Sequence, residues 1–386
     1  MVISMKKRLY VDVHVIQTVP PSCVNRDDTG SPKTAVYGGV RRARVSSQSW
    51  KRAMRDQFHE SFDESELGVR TKKIVDMVAA EIMKMDPTLD PEVASKKANE
   101  IITLAGVKTK APKKGGAEEA QALFFMSKKQ AENLAALALS GGQIEKKDAQ
   151  VVLNKGHGVD IALFGRMVAD DPSLNADASA QIAHSISTHK VDNEYDYYTA
   201  VDEKSPDDNV GAGMIGTIEF NSSTLYRYAT VAVHDLARQL ADDSGATAKA
   251  VREFVRAFVV SMPTGKQNTF ANRTLPTSLF ISVRDDQPIN LVAAFESPIY
   301  ADAKDGYGLR SAEKLSSYEN EVCSTFASAP VRTWQVGKGL ESIGHAVDLQ
   351  TALMELESYM RDYFLQPSSG IPRDTAGESD KHSQES

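Results

Sequence analysis

Hydrophobic and polar positions alternate from Arg8 to Gln17, which reads as a strand close to the N-terminus. A polar loop follows, closed by Gly38-Gly39, and Arg41 to Val45 suits the end of a second strand. Ser46 and Ser47 then stand where a helix would be capped. At about 100° per residue, Gln48, Lys51, Arg52 and Arg55 share one face of that helix. Trp50, Ala53 and Met54 share the opposite face.

Helical periodicity resumes over 72–104, interrupted by Asp86-Pro87 and Asp90-Pro91, and ends near Gly106. The stretch Gly106 to Gly116 carries Lys108, Lys110, Lys113 and Lys114 among Gly and Pro and reads as a mobile loop. Residues 117–140 predict an Ala/Leu-rich helix stopped by Gly141-Gly142, and Val159 to Met167 reads as β-like. Two strands are expected at 214–220 and 224–233, separated by Asn221-Ser222-Ser223. A helix at about 246–260 precedes the loop Pro263 to Phe270 and a strand around Leu279 to Val283. Further helices are expected at 311–328 and 347–364. The polar residues after Gln366 read as a disordered tail. Strands interleaved with helices, and one large helical insertion, indicate an α+β fold.

Charge sharpens this picture. The chain carries a net −7 over 386 residues, yet residues 1–55 hold eleven Lys or Arg against Asp12, Asp27 and Asp28. That surplus of eight leaves −15 for the rest. Cations concentrated in one segment of an acidic protein are the footprint of nucleic-acid binding. The alternative for the 41–55 block alone is a solvated basic helix face. Cys23 and Cys323 are isolated, which points away from a disulfide framework or a Cys-based zinc site and toward a reducing cytoplasm. The opening residues do not resemble a signal peptide, and no apolar run approaches a membrane span.

Other motifs carry less. Gly211-Ala-Gly213-Met-Ile-Gly216 matches a dinucleotide fingerprint but follows an acidic loop and runs into a strand-like segment. Gly265-Lys266 lacks the upstream glycine of a Walker A loop, although Lys266 remains within the reach of a phosphate contact. His157, His184 and His189 have no zinc spacing and no acidic pair, and Asp27-Asp28 is typical of a turn. Tyr195, Tyr197 and Tyr198 suit base stacking or burial equally well. No metal site, no cofactor and no catalytic group is expected from this inventory.

Longer blocks carry a resemblance. Pro21-Ser22-Cys23-Val24-Asn25-Arg26-Asp27-Asp28 and Tyr37-Gly38-Gly39 through Arg55 resemble the CasC family. So do Gly158 to Met167, Ile182 to Asp192, Tyr198 to Asp202, Tyr226-Arg227-Tyr228-Ala229, Gly265-Lys266-Gln267 and Gly306-Tyr307-Gly308. That family is the backbone, RAMP-type subunit of Cascade, the type I-E CRISPR surveillance complex. The resemblance implies an RRM-like (ferredoxin-like) palm over 1–59, 156–189 and 216–366. A helical fingers insertion spans 60–155, a protruding thumb spans 190–215, and 367–386 is a tail.

It further implies a non-catalytic protein that polymerises along a guide RNA (crRNA) and presents it to target DNA. The partners implied are other copies of the chain and the large, small and crRNA-end-binding Cascade subunits, with no membrane. By position, Arg26, Arg44, Ser46, Gln48, Lys51, Arg52, Arg55 and Lys266 would contact the guide. Arg166 and Met167 would sit beside bases, Tyr198 would serve the thumb, and Lys108, Lys110, Lys113 and Lys114 are candidate DNA contacts. The chain departs from the family pattern in carrying Tyr197-Tyr198 where a Trp-Phe-like pair is expected. The rival readings are a metal-dependent RNA endonuclease using Asp27, Asp28 and a histidine, and a stand-alone single-stranded RNA-binding protein.

Overall fold

The alternating N-terminal segment becomes the centre of the molecule. A computed structural model describes residues 8–112, 116–168, 171–200, 214–302 and 305–365. The first of its elements are β1 (Tyr10–Ser22), β2 (Thr34–Tyr37), β3 (Val40–Val45) and α1 (Ser47–Phe58). Then come β4 (Gly68–Thr71), α2 (Ile74–Met85), α3 (Pro91–Leu104), β5 (Thr109–Lys110), β6 (Glu119–Ala120), β7 (Phe124–Ser127), α4 (Lys128–Leu139), α5 (Lys146–Leu153) and α6 (Val159–Phe164). These are followed by β8 (Ala180–Ile182), β9 (Ser185–Ser187), β10 (Glu194–Ala200), β11 (Met214–Ala232), α7 (Val233–Gln239), α8 (Ser244–Val260) and α9 (Gln267–Phe270). The last are β12 (Ser278–Arg284), α10 (Tyr307–Thr325), β13 (Arg332–Gly337), β14 (His345–Ala346) and α11 (Leu349–Leu365). The fold is mixed α+β.

One sheet runs in the order β14-β13-β12-β1-β11-β9-β3-β2, with β8 and β10 also paired to β11. Its pairs are antiparallel except β13 with β14. Strand β1 pairs with β11 along its length and with β12 from Tyr10 to Ile16, and over that stretch both of its faces are buried. Val11, Val13 and Val15 face a core shared with Trp50, Met54 and Phe58 of α1, Phe254 and Phe258 of α8, and Leu356 and Met360 of α11. On the other face, Ile16, Tyr226 and Phe280 pack with Phe295 and with Leu315 of α10.

The polar partners in the β1 alternation are therefore not solvated. Asp12 accepts a hydrogen bond from the Tyr228 hydroxyl (3.0 Å) and from the Ile289 amide (2.8 Å). His14 Nδ1 lies 2.9 Å from the Tyr226 hydroxyl. Burial pushes Asp12 up to about 6, and burial, helped by the Arg284 charge, drives His14 down to about 3.

A separate core gathers α2, α3, α4 and α5 around Val78, Ile82, Ile101, Met126 and Leu134. Several sequence expectations are corrected in this region. Residues 117–140 hold the two strands β6 and β7 before α4, whose cap is Ser127 with Gln130 in a capping box. Val159 to Phe164 is helix α6 rather than a strand, because both sides of this short segment are buried and its apolar run does not specify a period. Residues 214–232 are one continuous strand, bridging what reads as a turn at Asn221-Ser222-Ser223. The tail 367–386, Lys113, Lys114 and residues 201–213 lie outside the described residues.

Candidate nucleic-acid interface

Helix α1 is set by its cap and by one aromatic anchor. The Ser46 hydroxyl accepts the Ser49 amide, and the Ser46 amide is held by Asn25 Oδ1 at 2.9 Å. The predicted contact residue Ser46 is thus buried and its hydroxyl serves the cap. Trp50 is fully buried, donates Nε1–H to Ser185 Oγ (2.9 Å), and has the Arg227 guanidinium 3.7 Å from its ring centroid. Arg227 also donates to Gln17 Oε1 (2.6 Å) and to the Phe258 carbonyl, with no carboxylate in contact among the described residues. Burial lowers its pKa to about 9.

With Trp50, Met54 and Phe58 turned inward, the other face of α1 is directed into two grooves. Gln48, Lys51, Arg52 and Arg55 line one of about 740 Å³, together with Arg70, Arg166 and Met167. Arg52 also lines a second groove of about 730 Å³ with Arg26, Gly265 and Arg273. Gln48 and Arg52 are exposed, whereas Lys51 is half-buried beside the Phe164 ring at 5.8 Å. Burial depresses the Lys51 pKa. Arg55 donates to Asp160 Oδ2 at 3.1 Å, so its charge is paired.

The loop 261–274 closes the second groove. Gly265 is needed there because a Cβ would stand 2.1 Å from the Val24 carbonyl oxygen. Lys266 follows at φ +50° and is half-buried, next to the segment that carries Arg26. Arg26 itself is exposed. Asp27 is bound up in its own turn, accepting from the Thr29 amide (2.9 Å) and the Ser31 amide (3.0 Å). Arg44 is half-buried and lies 3.3 Å from His184 Nδ1, which also receives the Ser47 amide.

The basic block therefore divides. Arg42 is fully buried and donates to the carbonyls of Tyr37, Ser187, Phe295 and Glu296, so its charge is structural. Arg166 is placed differently from the expectation as well. Its guanidinium is buried and donates to the carbonyls of Leu174 (2.9 Å), Phe125 (3.2 Å) and Leu153 (3.2 Å), stitching the second core to the segment after α6. The adjoining Met167 is 86% exposed at the mouth of the groove.

Opposite roles follow for these neighbours. Arg166→Ala is expected to destabilise the protein by about 3 kcal/mol or more, since several buried carbonyls lose their donor. Met167→Ala should leave the melting temperature within a degree or so, because an exposed side chain away from special contacts contributes little to stability. Thermal melts of the two variants check this; equal melting would refute the assignment.

Strands β10 and β11 form a ribbon that extends beyond the main sheet. Tyr198 lies across Gly216, its cross-strand partner, where a Cβ would come within 2.4 Å of the ring. Tyr195 and Tyr197 are the open rings, 70% and 63% exposed. Lys108 and Lys110 are exposed around the β5–β6 hairpin, remote in sequence from the α1 grooves. Sequence reasoning missed Arg70 and Arg273. Arg70 opens the short basic run Arg70-Thr71-Lys72-Lys73 and Arg273 stands alone in its segment, and only the tertiary fold brings them to α1. Among the described residues, no group of three or more His, Cys, Asp or Glu side chains converges as a metal site. No helix among them is long and apolar enough to cross a membrane.

The fold recurs in solved structures of one class. A chain described as "CRISPR RNA-guided surveillance complex, pre-nicking" superposes with a TM-score of 0.77 at 32% identity, over 90% of this chain and 100% of its own. A second, described as "CRISPR RNA-guided surveillance complex", gives a TM-score of 0.65 at 28% identity, over 90% and 99%. Comparison with curated proteins gave no match. The class is that of a Cas protein. The chain belongs to the CT1975-like protein family, whose sequence profile matches residues 11–360.

Proposed function

We propose that this chain is a non-catalytic, crRNA-binding backbone subunit of a Cascade-type surveillance complex, of the type I-E kind that its CasC resemblance implies. The observation that carries the reading is the outward face of α1, where Gln48, Lys51 and Arg52 open onto grooves lined by further arginines. Cations and an amide suit phosphate and sugar contacts, which fix register without reading sequence. A scaffold for arbitrary guides needs that property, since specificity against DNA then comes from base pairing. The two solved relatives carry the description of an RNA-guided complex.

The sheet supports an RRM-like palm. Its order β12-β1-β11-β9, with α1 between the first and second of these in sequence and α8 between the third and fourth, is that of a ferredoxin-like βαββαβ unit. Exposed Tyr195 and Tyr197 and the open Met167 give sequence-tolerant stacking surfaces.

Native mass spectrometry of the full chain on short and long single-stranded RNAs tests this. One copy on the short RNA and several on the long one, for unrelated sequences and without cleavage in magnesium or manganese, is the expected result. One copy on both lengths would favour the stand-alone RNA-binding protein, and metal-dependent cleavage would favour the nuclease.

A further inference from the structure

Two arginines from different cores meet over one ring. Arg55 comes from α1 and Arg70 from β4, and their guanidinium carbons lie 4.5 Å and 4.9 Å from the Phe125 ring centroid. Phe125 is buried on β7, directly opposite Arg70 in the β4–β7 pair. The surroundings of the two cations differ. Arg55 is held by Asp160 Oδ2 and reaches the Gly68 carbonyl at 3.4 Å. The other oxygen of Asp160 accepts the Gly68 amide at 2.7 Å, so this carboxylate is committed on both sides. Arg70 is exposed, opens on the same groove as Lys51 and Arg52, and makes no hydrogen bond or ion pair among the described residues.

Two guanidiniums beside one committed carboxylate leave an uncompensated positive charge at the seam between the sheet core and the second core. The ring holds Arg70 in place without satisfying its donors. A guanidinium fixed on an aromatic face, with its fork of N–H groups free in a groove, is suited to a phosphate oxygen pair.

We propose that Arg70 binds a phosphate of the guide-RNA backbone where the strand crosses this seam, with Arg55 fixed by Asp160 as its positive neighbour. Bound RNA then ties β4 and β7 to α1, which in the free protein are joined here by Asp160 and the shared ring. The inference rests on the guide-binding reading and adds to it a residue from the inserted region, the first of the basic run Arg70-Thr71-Lys72-Lys73, which only packing brings to α1.

Fluorescence anisotropy with a short fluorescein-labelled single-stranded RNA of mixed sequence, titrated with the full chain over a salt series, tests it. Arg70→Ala is expected to weaken binding about tenfold and to lower the slope of log K against log salt by about 0.7, the loss of one phosphate contact on a single strand. Arg70→Lys should restore most of the slope, because the charge remains. The melting temperature of free protein should be unchanged in both, since Arg70 is exposed. Unchanged affinity and slope for Arg70→Ala, while Lys51→Ala with Arg52→Ala loses both, would overturn the role of Arg70 and leave the RNA reading intact. Lower melting in both Arg70 variants would overturn it in favour of a structural role. Loss of neither affinity nor slope in any variant would sink the RNA reading itself.

Discussion

Trp50→Ala is expected to be the most destabilising single change in the sheet core, by about 3–5 kcal/mol from the lost burial and the cavity alone. The cost goes beyond volume. The ring is one of two aromatic faces that contain the Arg227 guanidinium, the other being Phe258 at 4.5 Å. Its removal leaves a buried cation with a partner missing and frees Ser185 Oγ from the indole N–H. Breaking a buried charge from its surroundings is costly because nothing replaces the lost hydration. The second tryptophan, Trp334, packs in the same core and reports on it. Urea denaturation followed by Trp334 fluorescence should show the midpoint falling sharply, and RNA binding should fall with it because α1 loses its seat. An unchanged midpoint would refute the anchor role.

Lys51→Ala with Arg52→Ala should do the reverse: stability kept, RNA binding lost. Neither side chain has an ion pair within the described residues, and Arg52 is exposed. Two charged contacts at about 1.5 kcal/mol each amount to roughly a hundredfold in affinity, and the salt slope should fall by about 1.4. This pair isolates the binding surface more cleanly than one containing Arg55, whose loss would also strand the buried carboxylate of Asp160. Anisotropy at several salt concentrations, alongside a thermal melt, measures both quantities. A loss restricted to some RNA sequences would contradict backbone recognition.

Much of the architecture is visible in local pattern, for identifiable reasons. The break between α2 and α3 falls at Asp86-Pro87 and Asp90-Pro91, because proline cannot extend a helix and Asp90 caps the next one. The periodicity of α1 separates Trp50 and Met54 from Lys51 and Arg52, because a helix has one face for the core and one for solvent. Short apolar runs mislead instead. Val159 to Leu163 and Phe124 to Ser127 are buried all round, so their sequences show no period from which helix or strand could be chosen.

The sequence by itself determined where charge gathers, where α1 begins, and which of its faces is polar. These depend on residues within a few positions of each other. Only the tertiary structure decided which cations are available. Arg42 and Arg166 read like Lys51 and Arg52 in a one-dimensional count, yet both are buried and bound to main-chain carbonyls from distant segments. Arg70 stands with Lys72 and Lys73, apart in sequence from the 41–55 block, yet packing places it beside Arg55 on the Phe125 ring. The physical reason is that a guanidinium's role depends on what solvates it. In a folded chain that is settled by oxygens and rings brought together across long stretches of sequence.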